Sequence, residues 1–320
     1  MRHIIQKVLR HTTLVDKPPV MVDVGASGDL DRDWSFVAAH AICVAFDADT
    51  RDFELVESEG NGWKKLYTLN RIVSERSSAE VNFYLTKSPY CSSALRPDEA
   101  AIEPWDFRSL FTVQEEIKLP ATDLGSALAE VGVDYIDWFK TDSQGTDLRI
   151  FRALDDKVIR QVKVAEFEPG IIDSYLGEDK LHGLMSYMET QPFWVTGMHI
   201  KGSQRIDQRD VDVLPVRVRR YYHRLLKTAP GWCEISYMNQ FQDGELNTRD
   251  YLLGWLFATL KGEQGFALRL ARIGRDIDGD PLFDELYAFS QKRLSRSYGM
   301  FVLSTLEKLY RKLWGEEWRG

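Results

Sequence analysis

Short apolar runs that stop at glycine or aspartate organise the first two-thirds of the chain. Val20-Met21-Val22-Asp23-Val24 ends at Gly25, and the run from Ala41 to Phe46 ends at Asp47. Between them, Trp34, Phe36, Val37 and Ala38 predict a helix. Strand, glycine turn, helix and strand open a βαβ unit with parallel strands and a right-handed crossover. Lys65 to Leu69, Tyr135 to Thr141 and Val162 to Phe167 repeat the pattern, with Asp142 and Glu168 at the ends of the last two. Glu80 to Leu85 alternates apolar and polar positions and predicts a half-exposed strand. Val113 to Leu119, Phe193 to Ile200 and Trp232 to Tyr237 complete the strand series. Thr122 or Asp123 caps a helix through Val131, and Leu148 to Leu154 is helical. Cys91 to Phe107, with two prolines, reads as a long loop, a length usually reserved for functional or mobile segments.

The texture differs at the two ends. Ile4, Ile5, Val8 and Leu9 share one side of a short helix that Lys17-Pro18-Pro19 stops. Beyond Asn247, apolar positions follow helical spacing: Leu252, Leu253, Leu256 and Leu260, then Leu282, Leu286 and Phe289, then Phe301, Leu303, Leu306, Leu309 and Leu313. The expected division is an N-terminal helix over 1–18, an α/β domain over 19–244 and an all-helical extension over 245–320. The α/β domain carries a mostly parallel sheet with helices on both faces.

Composition narrows the class. A chain of 320 residues with 44% apolar and 28% charged residues forms a sizeable core and is not disordered. A net charge of -8 disfavours a nucleic-acid partner. Cys43, Cys91 and Cys233 are too far apart for a disulfide framework or paired zinc ligands. The N-terminus lacks the apolar centre of a signal peptide, and the run from Tyr251 to Leu260 is too short to span a bilayer. Together these predict a cytoplasmic protein.

The candidate chemistry sits at strand ends. Asp23 with Gly25-Ala26-Ser27-Gly28, Asp47 with Asp49, Asp142, and Glu166 with Glu168 converge at the carboxyl edge of the sheet, where α/β proteins bind ligands. Gly25 and Gly28 allow close backbone approach, although a tight turn alone also explains them. Leu30 stands where a dinucleotide fingerprint needs its third glycine, and no Walker lysine follows. An acid at Asp47 suits the two hydroxyls of a ribose, or is simply a solvated strand end. Crowded carboxylates without phosphate-binding cations favour a positively charged nucleoside such as S-adenosylmethionine over a pyrophosphate cofactor.

Several stretches then resemble one family. Val22-Asp23-Val24-Gly25-Ala26, Ala45-Phe46-Asp47 and the segment from Phe139-Lys140-Thr141-Asp142 through Gln144-Gly145-Thr146-Asp147 resemble the FkbM family of S-adenosylmethionine-dependent methyltransferases. Ser88 to Leu95 and Ala165-Glu166-Phe167-Glu168 with Tyr175 resemble later family segments. The resemblance covers about residues 19 to 240. Asp47-Ala48 replaces the family's glutamate-proline, and Asp147 replaces a glutamate. The resemblance implies a Rossmann-like class I methyltransferase fold and O-methylation of a hydroxyl on a sugar, glycan or natural product. It implies cofactor contacts from Asp23, Gly25, Ala26, Ser27, Gly28, Asp47, Ala48 and Asn70, with Asp142 facing the transfer site. Asp142 and Glu168 are the candidate bases, or ligands of a divalent metal that would assist departure of the hydroxyl proton. Asp142 as a helix cap or a purely positioning group is the competing reading.

Other features have ordinary explanations. The basic, tyrosine-bearing segment Arg217 to Lys227 reads as a solvated helix face, or as a contact for an anionic glycan or lipid. The basic and apolar tail docks on the core, on a second copy or, peripherally, on a membrane surface. Two further functions remain open at this level: a nucleotide-dependent oxidoreductase and a non-catalytic Rossmann-fold interaction protein.

Overall fold

The computed structural model describes residues 1–26, 32–49, 51, 62–242 and 246–313. The side chains of 32, 278, 297 and 299–313 lie outside that description, as do Ser27, Gly28 and the expected apolar face from Phe301 to Leu313. The chain divides into two compact units, Lys17–Asp243 and a second built from Met1–Asp16 with Gly244–Gly320.

Among its described residues the larger unit holds ten strands: β1 (Val20–Val24), β2 (Ile42–Phe46), β3 (Lys65–Leu69), β4 (Ile72–Ser74), β5 (Ser78–Thr86), β6 (Val113–Asp123), β7 (Trp138–Thr141), β8 (Val164–Phe167), β9 (Phe193–Gln204) and β10 (Thr228–Asn239). Seven form one sheet in the order β3-β2-β1-β7-β8-β10-β9. β1, β2, β3, β7 and β8 run parallel, and β10 is antiparallel to both β8 and β9. The fold is a Rossmann-like α/β fold with a helical C-terminal region. Its order reverses at β1, where β2 lies on one side and β7 on the other. A crevice therefore opens beyond the carboxyl ends of β1, β2 and β7.

Strand alternation sorts the central strand. Val20, Val22 and Val24 join Phe139, Phe151, Phe167, Leu128, Ile159 and Leu184 in one core, so helices Leu124–Glu130, Asp147–Arg152, Asp156–Gln161 and Leu181–Met188 all contribute to it. Met21 and Asp23 alternate with them onto the other face. There Trp34 packs edge-on against Trp63 and Trp138, with ring centroids 6.1 and 6.0 Å away. The helix expected over Trp34 to Ala38 is instead two short 3-10 turns, Arg32–Phe36 and Ala38–His40. Three residues per turn places Trp34 and Val37, both fully buried, above one another.

β4, β6 and β5 form a separate three-stranded sheet, with β4 parallel and β5 antiparallel to β6. Asp123 accepts the Ser126 amide at 2.8 Å and is the cap that starts Leu124–Glu130.

In the smaller unit, Arg2–Leu9 buries Ile4, Ile5, Val8 and Leu9. Thr248–Leu260 opens with a capping box between Asn247 and Asp250. Gln264–Asp278 ends at Gly279, whose φ of 67° is left-handed. Leu282–Leu313 is one continuous helix. His11 reaches Asp280 at 2.9 Å, tying the N-terminal residues to the helical extension. Among the described residues, no helix is long and apolar enough to cross a membrane.

Candidate active site

Gly25 follows β1 with a φ of 82°, and a Cβ there would lie 2.1 Å from the Asp142 carbonyl oxygen. Only glycine lets the β1 and β7 ends meet so closely. The Gly25 and Ala26 amides both donate to the Phe46 carbonyl at 2.9 Å, and the Asp142 amide donates to the Val24 carbonyl at 2.8 Å. Three strand ends are thus locked around one point.

A cleft opens there. Gly25, Asp47, Ala48 and Asp142 line it, as do Asp49, Gln144 and Tyr90. Its apolar wall comes from Ile72, Val73 and Phe83 of the three-stranded sheet. Burial pushes the Asp47 carboxyl up to about 6, with the Asp49 and Asp23 carboxylates adding repulsion. Asp47 accepts the Asp49 amide at 2.8 Å. Burial works to raise Asp49 too, but the Arg51 guanidinium and the Ser92 hydroxyl outweigh it and hold that group below its ordinary value. Arg51 meets Asp49 at 2.5 Å and also donates to the Thr86 carbonyl at 2.9 Å. Arg71, the basic residue among those described as lining this cleft, pairs with Glu130 at 3.0 Å.

A second cleft, about 930 Å³, shares Asp142, Gln144 and Tyr90 with the first. Phe107, Phe111, Tyr175 and Trp232 supply its rings, and Glu168 and Glu178 join Asp142 as its acids. The rings form one run: Phe107 and Phe111 lie 5.3 Å apart, Phe111 and Tyr175 5.4 Å, and Phe107 and Trp232 6.4 Å.

The Asp142 and Glu168 carboxyls interact directly, and their interaction favours the proton on Asp142. Burial, then Glu168 and Asp147, push the Asp142 carboxyl well above its usual range. Burial, then Glu234 and Asp147, push Glu168 up to about 7. Trp232 lies beside Glu168 and works to lower it, and the Gln144 amide donates to Asp142. The Tyr175 hydroxyl lies 2.8 Å from the Gln144 side-chain oxygen and 2.9 Å from the Cys91 carbonyl. Gln144 holds a left-handed φ of 56° within this chain of contacts, a conformation non-glycine residues adopt at a cost. Asp147 is the anchor beneath it. It accepts from Thr141, from the Ser143 amide and hydroxyl, and from the Glu168 amide, binding the β7 loop to the β8 end.

The structure thus brings Gly25, Asp47, Ala48, Asp142 and Glu168 to two joined clefts. Ala26 is buried in the turn beside Gly25. Asp23 lies on the sheet face, opposite Lys140 in the β1–β7 register and 3.3 Å from its ammonium. Asn70 is exposed after β3, and its neighbours Arg71 and Ile72 line the cleft instead. Glu166 is tied within the sheet to Trp138 at 2.7 Å and Ser236 at 2.8 Å. Among the described residues, no three His, Cys, Asp or Glu side chains stand together as a metal site. Sequence reasoning passed over the Ile72–Phe83 wall and the ring cluster. The density of aromatics from Trp105 to Phe111 was its available signal.

No protein-family profile matches the chain, and no curated protein does. Among solved structures, it is similar to a protein described as belonging to the NADB-Rossmann superfamily from Streptococcus agalactiae. That likeness has 10% identity and a TM-score of 0.29, over 90% of this chain and 95% of the other. The Rossmann-like fold stands on the sheet order itself.

Proposed function

We propose that the protein is an S-adenosylmethionine-dependent methyltransferase acting on a hydroxyl, as the FkbM resemblance implies. The observation that carries this reading is the joining, at Asp142, of an acid-lined cleft at the β1, β2 and β7 ends and an aromatic cleft. The donor set fits the cofactor. Gly25 leaves a cradle that a Cβ would fill, and Asp47 presents a buried carboxylate for the ribose hydroxyls. Ile72, Val73 and Phe83 give an apolar wall suited to an adenine ring. Among the described lining residues Arg71 is the basic one, and it is paired with Glu130. The antiparallel β10 inserted between β8 and β9 also departs from the six-stranded dinucleotide order and agrees with the class I methyltransferase fold that the resemblance implies.

When bound, the cofactor supplies an electrophilic methyl group on a positively charged sulfur. The chain's own work is positioning and proton removal. Asp142, at the junction, takes the acceptor's hydroxyl proton as it hands its own proton to the neighbouring Glu168 carboxylate. Gln144 and Tyr175 fix the Asp142 carboxyl, and the ring cluster shields the transfer site from water.

The test follows isotope from methyl-labelled S-adenosylmethionine into a panel of hydroxylated ring compounds. The expected result is labelled product, with turnover falling about a hundredfold or more in Asp142→Asn. Turnover should rise as pH passes about 7, where Glu168 ionises. A panel giving no labelled product, or an Asn variant equal to wild type, contradicts the assignment.

A further inference from the structure

We infer that the second cleft selects an acceptor bearing a positive charge: an amine-substituted ring compound whose ammonium lies between Glu168 and the ring cluster. This rests on the methyltransferase reading for the word acceptor, but the charge preference stands on the cleft itself. No Lys, Arg or His lines it among the described residues, whereas Asp142, Glu168 and Glu178 do. Glu178 is already engaged by Lys180 at 2.6 Å and by the Ser174 amide at 2.6 Å. Glu168 lies beside Asp142 and Trp232 among further acids, and the Lys201 ammonium within its electrostatic reach is paired with Glu234 at 2.9 Å. The rise of Glu168 to about 7 reflects burial and the nearby Glu234 and Asp147 charges, a field that a ligand cation relieves.

The aromatic walls point the same way. Phe107, Phe111, Tyr175 and Trp232 offer ring faces, whose negative quadrupoles attract ammonium groups, in a cleft whose other walls are largely uncharged. An anionic acceptor would meet acids with no cation to pair. The two clefts also divide the labour. Asp142 lines both and stands where the methyl group would cross, whereas Glu168 and Trp232 line only the second. A hydroxyl at Asp142 and an ammonium at Glu168 describe a compact amino alcohol built on a ring.

Calorimetry on the full chain, first saturated with S-adenosylhomocysteine, tests this with three probes of one shape: benzyltrimethylammonium, benzyl alcohol and benzoate. The cation should bind about tenfold tighter than the alcohol, and benzoate weakest. Glu168→Gln and, separately, Trp232→Leu should each erase most of that preference. Equal affinities, a preference for benzoate, no binding of any probe, or a preference surviving both variants would overturn the inference. So would loss of cation binding on filling the first cleft, since the probe would then have occupied the nucleoside cleft. Should S-adenosylhomocysteine itself not bind, the cofactor reading fails separately, and the same probe series on the free protein still decides the charge preference.

Discussion

Burial makes the Asp47 carboxyl costly to ionise in the folded chain. Its value of about 6 in the folded chain exceeds the unfolded value of 3.8. The native state therefore holds more protons than the unfolded state between those values. Stability from this group is greatest at low pH and is lost as pH rises to about 6, after which the loss is constant. Asp47→Asn removes the ionisation cost and should stabilise the ligand-free protein at pH 7.5 by up to about 3 kcal/mol. The advantage should shrink toward pH 4, as read by denaturant titration at several pH values. Gly25 makes the opposite point. Gly25→Ala forces a Cβ against the Asp142 backbone at a φ of 82° and should cost about 2 kcal/mol or more. An Ala variant with unchanged stability would mean that the β1 and β7 ends separate freely. Asp47 was legible in the sequence because a strand end announces itself. The pairing of Asp142 with Glu168 was not, since it depends on how two loops turn after their strands.

At the scale of elements, sheet order and strand polarity decided where the site lies. Parallel strands were readable from their apolar runs and glycine or aspartate stops. The three-stranded sheet of β4, β5 and β6 was not, because β4 is only three residues long and its partner β6 follows β5 in sequence. That sheet supplies the cleft wall, so the adenine-facing candidate shifted from Asn70 to Ile72, Val73 and Phe83. The helix expected after the glycine turn failed for a related reason: Trp34 and Val37 satisfy a period of three as well as one of 3.6. In the helical unit, a Cβ on Gly274 would lie 2.3 Å from the buried Phe283 ring. Gly274→Ala gains about 1 kcal/mol of helix propensity, yet overpacking costs about 1–3 kcal/mol. Net destabilisation in thermal unfolding is expected, and a stabilised variant would show that the two helices part there without cost.

For the whole molecule, the α/β unit and the helical unit were both foreshadowed by the change of periodicity near residue 245. The N-terminal helix belongs with the second unit, a pairing between sequence-distant segments that no local pattern encodes. Carboxylates converge, the cleft-lining Arg71 is paired with Glu130 and an aromatic cleft adjoins the first: these make the cofactor the central claim. The most direct measurement is calorimetric titration of the full chain with S-adenosylmethionine and with NAD, at pH 7.5 and at pH 5. One S-adenosylmethionine per chain should bind at pH 7.5, more weakly at pH 5 as Asp47 takes up its proton, and about tenfold or more weakly in Asp47→Ala. NAD should give no comparable heat. Tight NAD binding with no S-adenosylmethionine binding would contradict the methyltransferase reading outright.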